Sequence, residues 1–382
     1  MISNLDYVTL QQLWWVICSV VGALFLFLTF VQGGQTLLWQ VAKTDTESAF
    51  VVNSLGRKWE LPFTTLVLFG GALFASFPKF YSTSFGGAYW VWILILFSFI
   101  IQAVSYEYRK KPGNVWGSKT YETFMFINGS VGVLLIGAAV GTFYTGSAFS
   151  LNDMNQVTWE YTLGGVNLRG LEAAFSLFNL SLGLFLVFNA RVLGALYLLN
   201  NLDLAAVPEL EQRLRKAVWS SFLCSLPFVL YVVVSILLRQ GFGVDEDGVV
   251  SMVSFKYFFN LLALPHLLLF LLGGLGLVIW GVLLGAFKGS VKGIWPAGLG
   301  TVLVGLCVLC LPAFNATAFY PSTYDLQSSL TIYNASSSKY TLMVMTYVAL
   351  AIPFVLAYVV YLWKKMDSSK LSTEDALDHE AY

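Results

Sequence analysis

LWWVICSVVGALFLFLTFV, running from Leu13 to Val31, contains no charged residue over 19 positions. An α-helix rises 1.5 Å per residue, so a stretch of this length crosses the ~30 Å hydrocarbon layer of a bilayer. It exceeds a typical signal-peptide core and lacks a small-residue cleavage site, which predicts a retained helix. Similar runs recur along all 382 residues, of which 57% are hydrophobic and only 11% charged, against about 25% charged in soluble domains. The pattern predicts an all-α polytopic membrane protein. Nine crossings are expected near 12–32, 62–82, 87–106, 121–145, 170–198, 218–239, 256–286, 294–315 and 340–363, with a polar tail over 367–382.

The loops between these runs alternate in character. Fifteen of the 21 Lys/Arg fall in Lys43–Lys58, Arg109–Lys119, Arg213–Lys216, Lys288–Lys292 and the tail from Lys364. The loops 147–168, 240–255 and 316–339 are long, polar and poor in basic residues. Cationic loops stay on the cytoplasmic side, so the C-terminus is expected inside and, with nine crossings, the N-terminus outside. The segment 35–60 mixes apolar residues with Lys43, Asp45, Glu47, Arg57 and Lys58, which predicts an interfacial helix with Trp39 and Trp59 at headgroup depth. Net charge is zero, and nothing points to nucleic acid.

Ligand chemistry is sparse. The two histidines are His266, flanked by apolar residues, and His379 in the tail. Pro265 leads to the expectation that His266 bonds a freed helix carbonyl. Cys18, Cys224, Cys307 and Cys310 all lie in apolar runs and read as small helix residues. No haem ligand and no metal site is expected on this chain. Glycine-rich stretches such as Gly70-Gly71 fall inside apolar helices, where they suit close helix packing.

Ionisable groups at membrane depth are the usual marks of function. Glu60 opens the second crossing and Glu107 closes the third, so a helical hairpin puts both carboxylates at the same end. Two acids there suit proton collection from the cytoplasm, passed inward through hydroxyls such as Thr64 and Thr65. Alternatively they are interfacial residues, with Glu107 paired to Arg109 or Arg57. Glu122 reads as a helix-start acid, and Glu172 as the ion-pair partner of Arg169. Arg191 sits within a crossing, where desolvating it alone costs at least ~2.5 kcal/mol. It either snorkels to the interface or meets a buried partner.

Several motifs resemble subunit II of the cytochrome bd quinol oxidases. They are Leu13-Trp14-Trp15, Val52-Asn53-Ser54-Leu55-Gly56-Arg57-x-Trp59-Glu60, Gly70-Gly71-Ala72-Leu73-Phe74-Ala75-x-Phe77-Pro78, Phe85-x-Gly87-x-Tyr89 and Glu107-Tyr108-Arg109. Near the C-terminus, Pro321-Ser322-Thr323, Ser329-Leu330-Thr331, Ala335-Ser336-Ser337-Ser338 and Thr341-Leu342-x-Val344-Met345-Thr346 also resemble the family. The resemblance implies two four-helix bundles plus a peripheral helix in a bacterial inner membrane. It implies pairing with a haem-bearing subunit I, which carries b- and d-type haems, oxidises quinol and reduces oxygen to water, building a protonmotive force. It further implies a proton entrance at Glu60 and Glu107, a structural quinone near Trp59, surrounding lipid, and small single-helix subunits as further partners. One departure stands out. Where many members carry two acids at the end of the first helix, this chain has Gln32 and Gln35, which do not titrate near neutral pH. After Glu60, Leu61-Pro62-Phe63-Thr64-Thr65 replaces a more polar stretch. A stand-alone transporter is the rival reading, and it requires a polar cavity at mid-membrane. A purely structural subunit is the third.

Overall fold

The computed structural model describes residues 5–367, 370 and 371, the side chains at positions 355 and 356 excepted. His379 and most of the polar tail lie outside the described residues. Eight helical stretches among the described residues are long and apolar enough to cross a membrane, and Ile294–Cys310 is a shorter apolar helix.

The opening run does not stop where the first crossing was expected to end. α1 (Tyr7–Leu28) bends at Thr29 and continues as α2 (Phe30–Val41). At the bend the Thr29 hydroxyl donates to the Leu26 carbonyl at 2.6 Å, while Gly33 N–H donates back to Thr29 at 2.9 Å. The 35-residue stretch Tyr7–Val41 is about 52 Å long, so its end projects beyond the hydrocarbon layer. α3 (Asp45–Gly56) starts at a Thr44 cap that accepts from Glu47 N–H. A short turn then leads into α4 (Glu60–Ser76). The expected interfacial helix over 35–60 is therefore corrected. Phe30–Leu38 is continuous with the first crossing, and Ala49–Gly56 is wholly buried. Protein, not lipid, covers their apolar faces, because α9 packs against both.

α5 (Pro78–Tyr81) and a π-type turn over Ser82–Gly86 lead into α6 (Tyr89–Tyr108). The fourth crossing is α7 (Ser118–Ile127), a π-type turn at Asn128–Gly132, and α8 (Val133–Thr145). α9 (Leu177–Asn201) lies between the two halves of the molecule, packed on α2, α8 and α10. α10 (Pro208–Leu238) begins ten residues before the expected crossing. Pro208 starts it, and the pairs Arg213–Glu209 and Arg215–Glu211 lie one turn apart along it. The basic stretch 213–216 is thus helix and not loop. The seventh crossing divides at Leu264 into α11 (Lys256–Ala263) and α12 (Pro265–Ala286), since proline favours a helix start. α13 (Ile294–Cys310), α14 (Lys339–Ala349) and α15 (Ile352–Met366) complete the set. α9, α10, α12 and α13 pack together as one group, and α14 lies outside against α1 and α4.

Three antiparallel hairpins fill the polar loops: β1–β2 (Phe149–Leu151, Val157–Trp159), β3–β4 (Thr162–Leu163, Val166–Asn167) and β5–β6 (Gly241–Val244, Val250–Val253). Bridges from Ser147 to Ser322 and from Gly243 to Thr317 join them to the third polar loop. This is the hairpin end. At the opposite, basic end the five cationic segments converge. Arg213 bonds Glu47 and the Val41 carbonyl, Arg109 bonds Glu122, Lys58 bonds Asp367, and Arg215 bonds the Gly289 carbonyl at 3.0 Å.

The tightest helix contact is between α2 and α9. A Cβ on Gly33 would lie 1.8 Å from the Ala190 carbonyl oxygen, and one on Gly194 2.3 Å from the Gly34 nitrogen. Backbone cannot yield to such overlap. Gly33→Val is expected to destabilise by about 3 kcal/mol, the upper end of overpacking costs. Thermal unfolding of the purified complex reads this, and an unchanged midpoint would show that the helices can separate there.

Candidate functional site

The antiparallel α4 and α6 meet through stacked rings at the basic end. Trp59 and Tyr106 lie 5.6 Å apart at an interplanar angle of 14°, and Phe63 and Phe99 pack one level deeper at 5.4 Å. Glu60 and Glu107 are the next residues after the stacked pair. Both are exposed on the chain. Glu107 does not pair with Arg109 or Arg57: Arg109 is committed to Glu122, and Arg57 reaches the Met366 carbonyl at 3.4 Å. Thr64 is exposed and Thr65 half-buried, so the hydroxyls expected to lead inward do not line a buried path.

The buried polar groups lie elsewhere. Gln35 donates to the Tyr106 hydroxyl at 3.1 Å. On α6, Ser98, Gln102 and Tyr106 recur every four residues and share one face. Asn128, in the π-type turn, donates to Ser98 at 3.3 Å. The same turn packs on α2, where a Cβ on Gly129 would meet the Gln32 carbonyl at 2.3 Å. Gln32 and Gln102 are fully buried with neither amide atom bonded to protein, and the Gln35 and Asn128 amide oxygens and the Trp59 indole N–H are likewise buried without a protein partner. Buried amides in native proteins rarely lack partners, and internal water commonly serves as one. Gln102 and Asn128 were missed from sequence. Their signal was a polar side chain in each apolar run, and for Gln102 a helical spacing from Ser98 and Tyr106.

Glu122 is more than a helix-start acid. It accepts from Arg109 Nε and Nη2 at 3.1 and 2.8 Å, from the Trp39 indole at 3.1 Å and from Ser48 at 3.3 Å. Lys58 is buried to 0% side-chain exposure against Asp367 at 3.0 Å. Asp367 also accepts from Asn201, which accepts from Ser54 at 2.7 Å. The segment after α15 thus ties down the residue preceding Trp59.

Arg191 is half-buried and faces no carboxylate. It donates to the Thr36 carbonyl at 2.9 Å and to the Gln40 side chain. Both acceptors belong to the second half of α2, toward the negative end of that helix. Glu172 does not pair with Arg169. Both its oxygens are buried without a partner, and burial pushes its carboxyl above the ordinary carboxylate range. His266 is exposed in the first turn of α12, 6.3 Å from the Phe270 ring. Pro265 opens that helix, and among the described residues the imidazole makes no hydrogen bond to a helix carbonyl. Cys18, Cys307 and Cys310 are buried free thiols. Among the described residues no three His, Cys, Asp or Glu side chains converge.

These features define a multi-pass, mostly helical membrane protein whose ion pairs concentrate at one end. The model of the family "Cytochrome bd terminal oxidase subunit II" matches residues 10–366, and the chain belongs to that family. It is similar to the cytochrome bd-I ubiquinol oxidase subunit 2 of Escherichia coli K12, 27% identical with 97% of each chain covered. It is also similar to the probable cytochrome oxidase subunit 2 of Haemophilus influenzae, 26% identical with 95% of each covered. The bd oxidase structure from Geobacillus thermodenitrificans shares the fold, with a TM-score of 0.64 at 14% identity over 94% of this chain and 98% of that one. The chain is therefore a subunit of an oxidoreductase complex of a bacterial inner membrane, and a subunit I is its partner.

Two predictions follow from the charged groups. Arg109→Ala leaves Glu122 buried and uncompensated, at a cost of about 3–5 kcal/mol. The double variant Arg109→Met/Glu122→Leu should recover much of that in thermal unfolding of the complex, and a purely additive result would mean that the pair is not coupled. Glu172 titrates in the opposite sense to a stabilising carboxylate. With its folded pKa raised, ionisation disfavours the folded form as pH rises above the ordinary carboxylate value. Glu172→Gln should raise the unfolding temperature at pH 8, and the gain should shrink towards pH 5. A gain that is independent of pH would place the effect outside that carboxyl.

Proposed function

We propose that this chain is the second subunit of a quinol-oxidising, oxygen-reducing complex that generates protonmotive force, with the b- and d-type haems carried by subunit I. Its basic end faces the cytoplasm, which puts the C-terminus inside, as the convergence of all five cationic segments supports. Its own contributions are to brace subunit I and to admit protons. The match over residues 10–366 favours this reading over a stand-alone transporter.

The observation that carries the proton role is the order of groups along the α4–α6 hairpin. Glu60 and Glu107 lie at the rim, the Trp59–Tyr106 stack lies beside them, and Gln35, Gln102 and Asn128 lie within. Carboxylates at the rim exchange protons with the cytoplasm. Inside, unpartnered amides offer donors and acceptors to water without burying charge. Gln32 and Gln35 anchor such water and do not themselves titrate. Trp59 is the quinone contact. Its ring gives an aromatic face and its buried indole N–H has no protein acceptor, so a quinone carbonyl is a chemically suitable partner. Small single-helix subunits and lipid would cover the apolar surfaces exposed on α4, α6 and α15, such as Leu68, Phe97 and Phe354.

The test is Glu60→Gln and Glu107→Gln, singly and together, in the whole complex. Oxygen consumption with excess quinol and proton uptake from the cytoplasmic side are measured together. The double variant is expected to lower both at least tenfold, a barrier rise of about 1.4 kcal/mol, while the haem spectrum is retained. Unchanged turnover and uptake would leave the chain a structural subunit.

A further inference from the structure

The group formed by α9, α10, α12 and α13 encloses two apolar chambers that share Leu182, Phe185, Val229, Val233, Leu275 and Val304. The larger measures about 240 Å³ and reaches Phe222 and Asn189. The smaller, about 40 Å³, continues to Tyr144 and Leu311 near the hairpin end. Along α10 the lining runs from Phe222 to Leu237, roughly 22 Å of helix. That exceeds half of a ~30 Å hydrocarbon layer. The slot is also open sideways. Leu230 and Ile279 line the larger chamber, yet they are 61% and 46% exposed on the surface between α10 and α12. Helical interiors pack closely, and apolar space of this size is costly to leave unfilled.

The polar groups in the slot already have protein partners. Asn189 donates to Thr301 at 3.2 Å, Thr301 donates to the Ala297 carbonyl at 2.9 Å, and Ser225 donates to the Phe222 carbonyl at 2.7 Å. The occupant of this part is therefore hydrocarbon. At the hairpin end there are unmatched donors beside the apolar lining. There Arg239, Phe178 and Tyr257 each sit one helical turn beyond a lining residue (Ile236, Leu182 and Leu261). The Arg239 guanidinium lies 4.6 Å over the Phe178 ring. Its Nε and Nη1 are buried with no acceptor, as is the Tyr257 hydroxyl. No carboxylate among the described residues forms an ion pair with Arg239. The side chain remains partly exposed.

We propose that this slot seats one acyl chain of an anionic phospholipid, with its phosphate on Arg239. Guanidinium matches phosphate geometry and forms charge-assisted bonds with it. The chain enters between α10 and α12 from the leaflet at the hairpin end and fills the slot past mid-membrane. The site lies on the second helical group, away from Trp59, Glu60 and Glu107, and does not depend on the proton role proposed for them.

The test uses the whole oxidase complex, stripped by repeated detergent exchange and then offered vesicles of phosphatidylglycerol or phosphatidylcholine. Retained lipid is counted by native mass spectrometry. The wild type should keep one phosphatidylglycerol in preference to phosphatidylcholine. Arg239→Gln should lower that retention roughly tenfold, as expected for loss of a charged hydrogen bond. Val304→Phe, which fills the slot and spares Arg239, should lower it comparably. Val229→Phe serves the same purpose should the first variant not assemble, and the haem spectrum reports assembly. Equal retention of both lipids, retention unaffected by Arg239→Gln, or recovery of an isoprenoid quinone in place of phospholipid would each overturn the proposal.

Discussion

The backbone contact of α2 with α9, made where Gly33 and Gly194 carry no side chain, fixes where Gln35 and Thr36 lie at the basic end. In a bilayer, helices gain little from hydrophobic exclusion, and close approach through small residues becomes a main source of cohesion. Here it holds α2 directly against α9. From that position α2 turns Gln35 towards Tyr106 on α6 and presents the Thr36 carbonyl to Arg191 on α9. The other side of α2 meets the π-type turn that carries Asn128. A helix displaced outward by one side chain would lose all three. These contacts therefore depend on the absence of a methyl group at Gly33 and Gly194.

Charge in the molecule follows desolvation cost. The buried ions at the basic end have close partners. Arg109 has Glu122, and Lys58 has Asp367. Arg191, deeper along α9, is met by a carbonyl and a neutral amide near the negative end of α2, which offsets a cation without a second buried ion. Further in, the groups are neutral amides and hydroxyls. Glu172 and Arg239 break this rule at the hairpin end, one an acid and the other a cation, each without an ionic partner.

Much of the architecture was legible because membrane spans are long, apolar and locally encoded. The runs, the cationic loops and the pairing of Glu60 with Glu107 across a helical hairpin all come from sequence-local patterns. What was not legible came from contacts between distant segments. Residues 35–60 read as an interfacial helix, and nothing local shows that α9 covers the apolar faces within them. Glu122 and Arg109 are close in sequence, but their joining with Trp39 and Ser48 requires α2, α3, α6 and α7 to meet. Arg169 and Glu172 had an apparent pairing by spacing, yet the tight turn at Gly170, with φ of 88°, separates them. The hairpins were hidden because strands of two to four residues leave no alternation to detect.

The replacement of acids by Gln32 and Gln35 bears on how the proposed proton route would work. An acid in the interior stores a proton but must be desolvated to do so, and its affinity then limits the rate of passage. An amide stores nothing. It orients water and leaves proton exchange to the carboxylates at the rim. A route of this kind is governed by hydration of the interior and by exchange at Glu60 and Glu107. None of Gln32, Gln35, Gln102 and Asn128 titrates near neutral pH, so the pH dependence of proton entry would reside at the rim. The burial of neutral Gln102 and Asn128 beside Gln35 is consistent with that arrangement, since each adds hydrogen-bonding capacity at depth without adding charge.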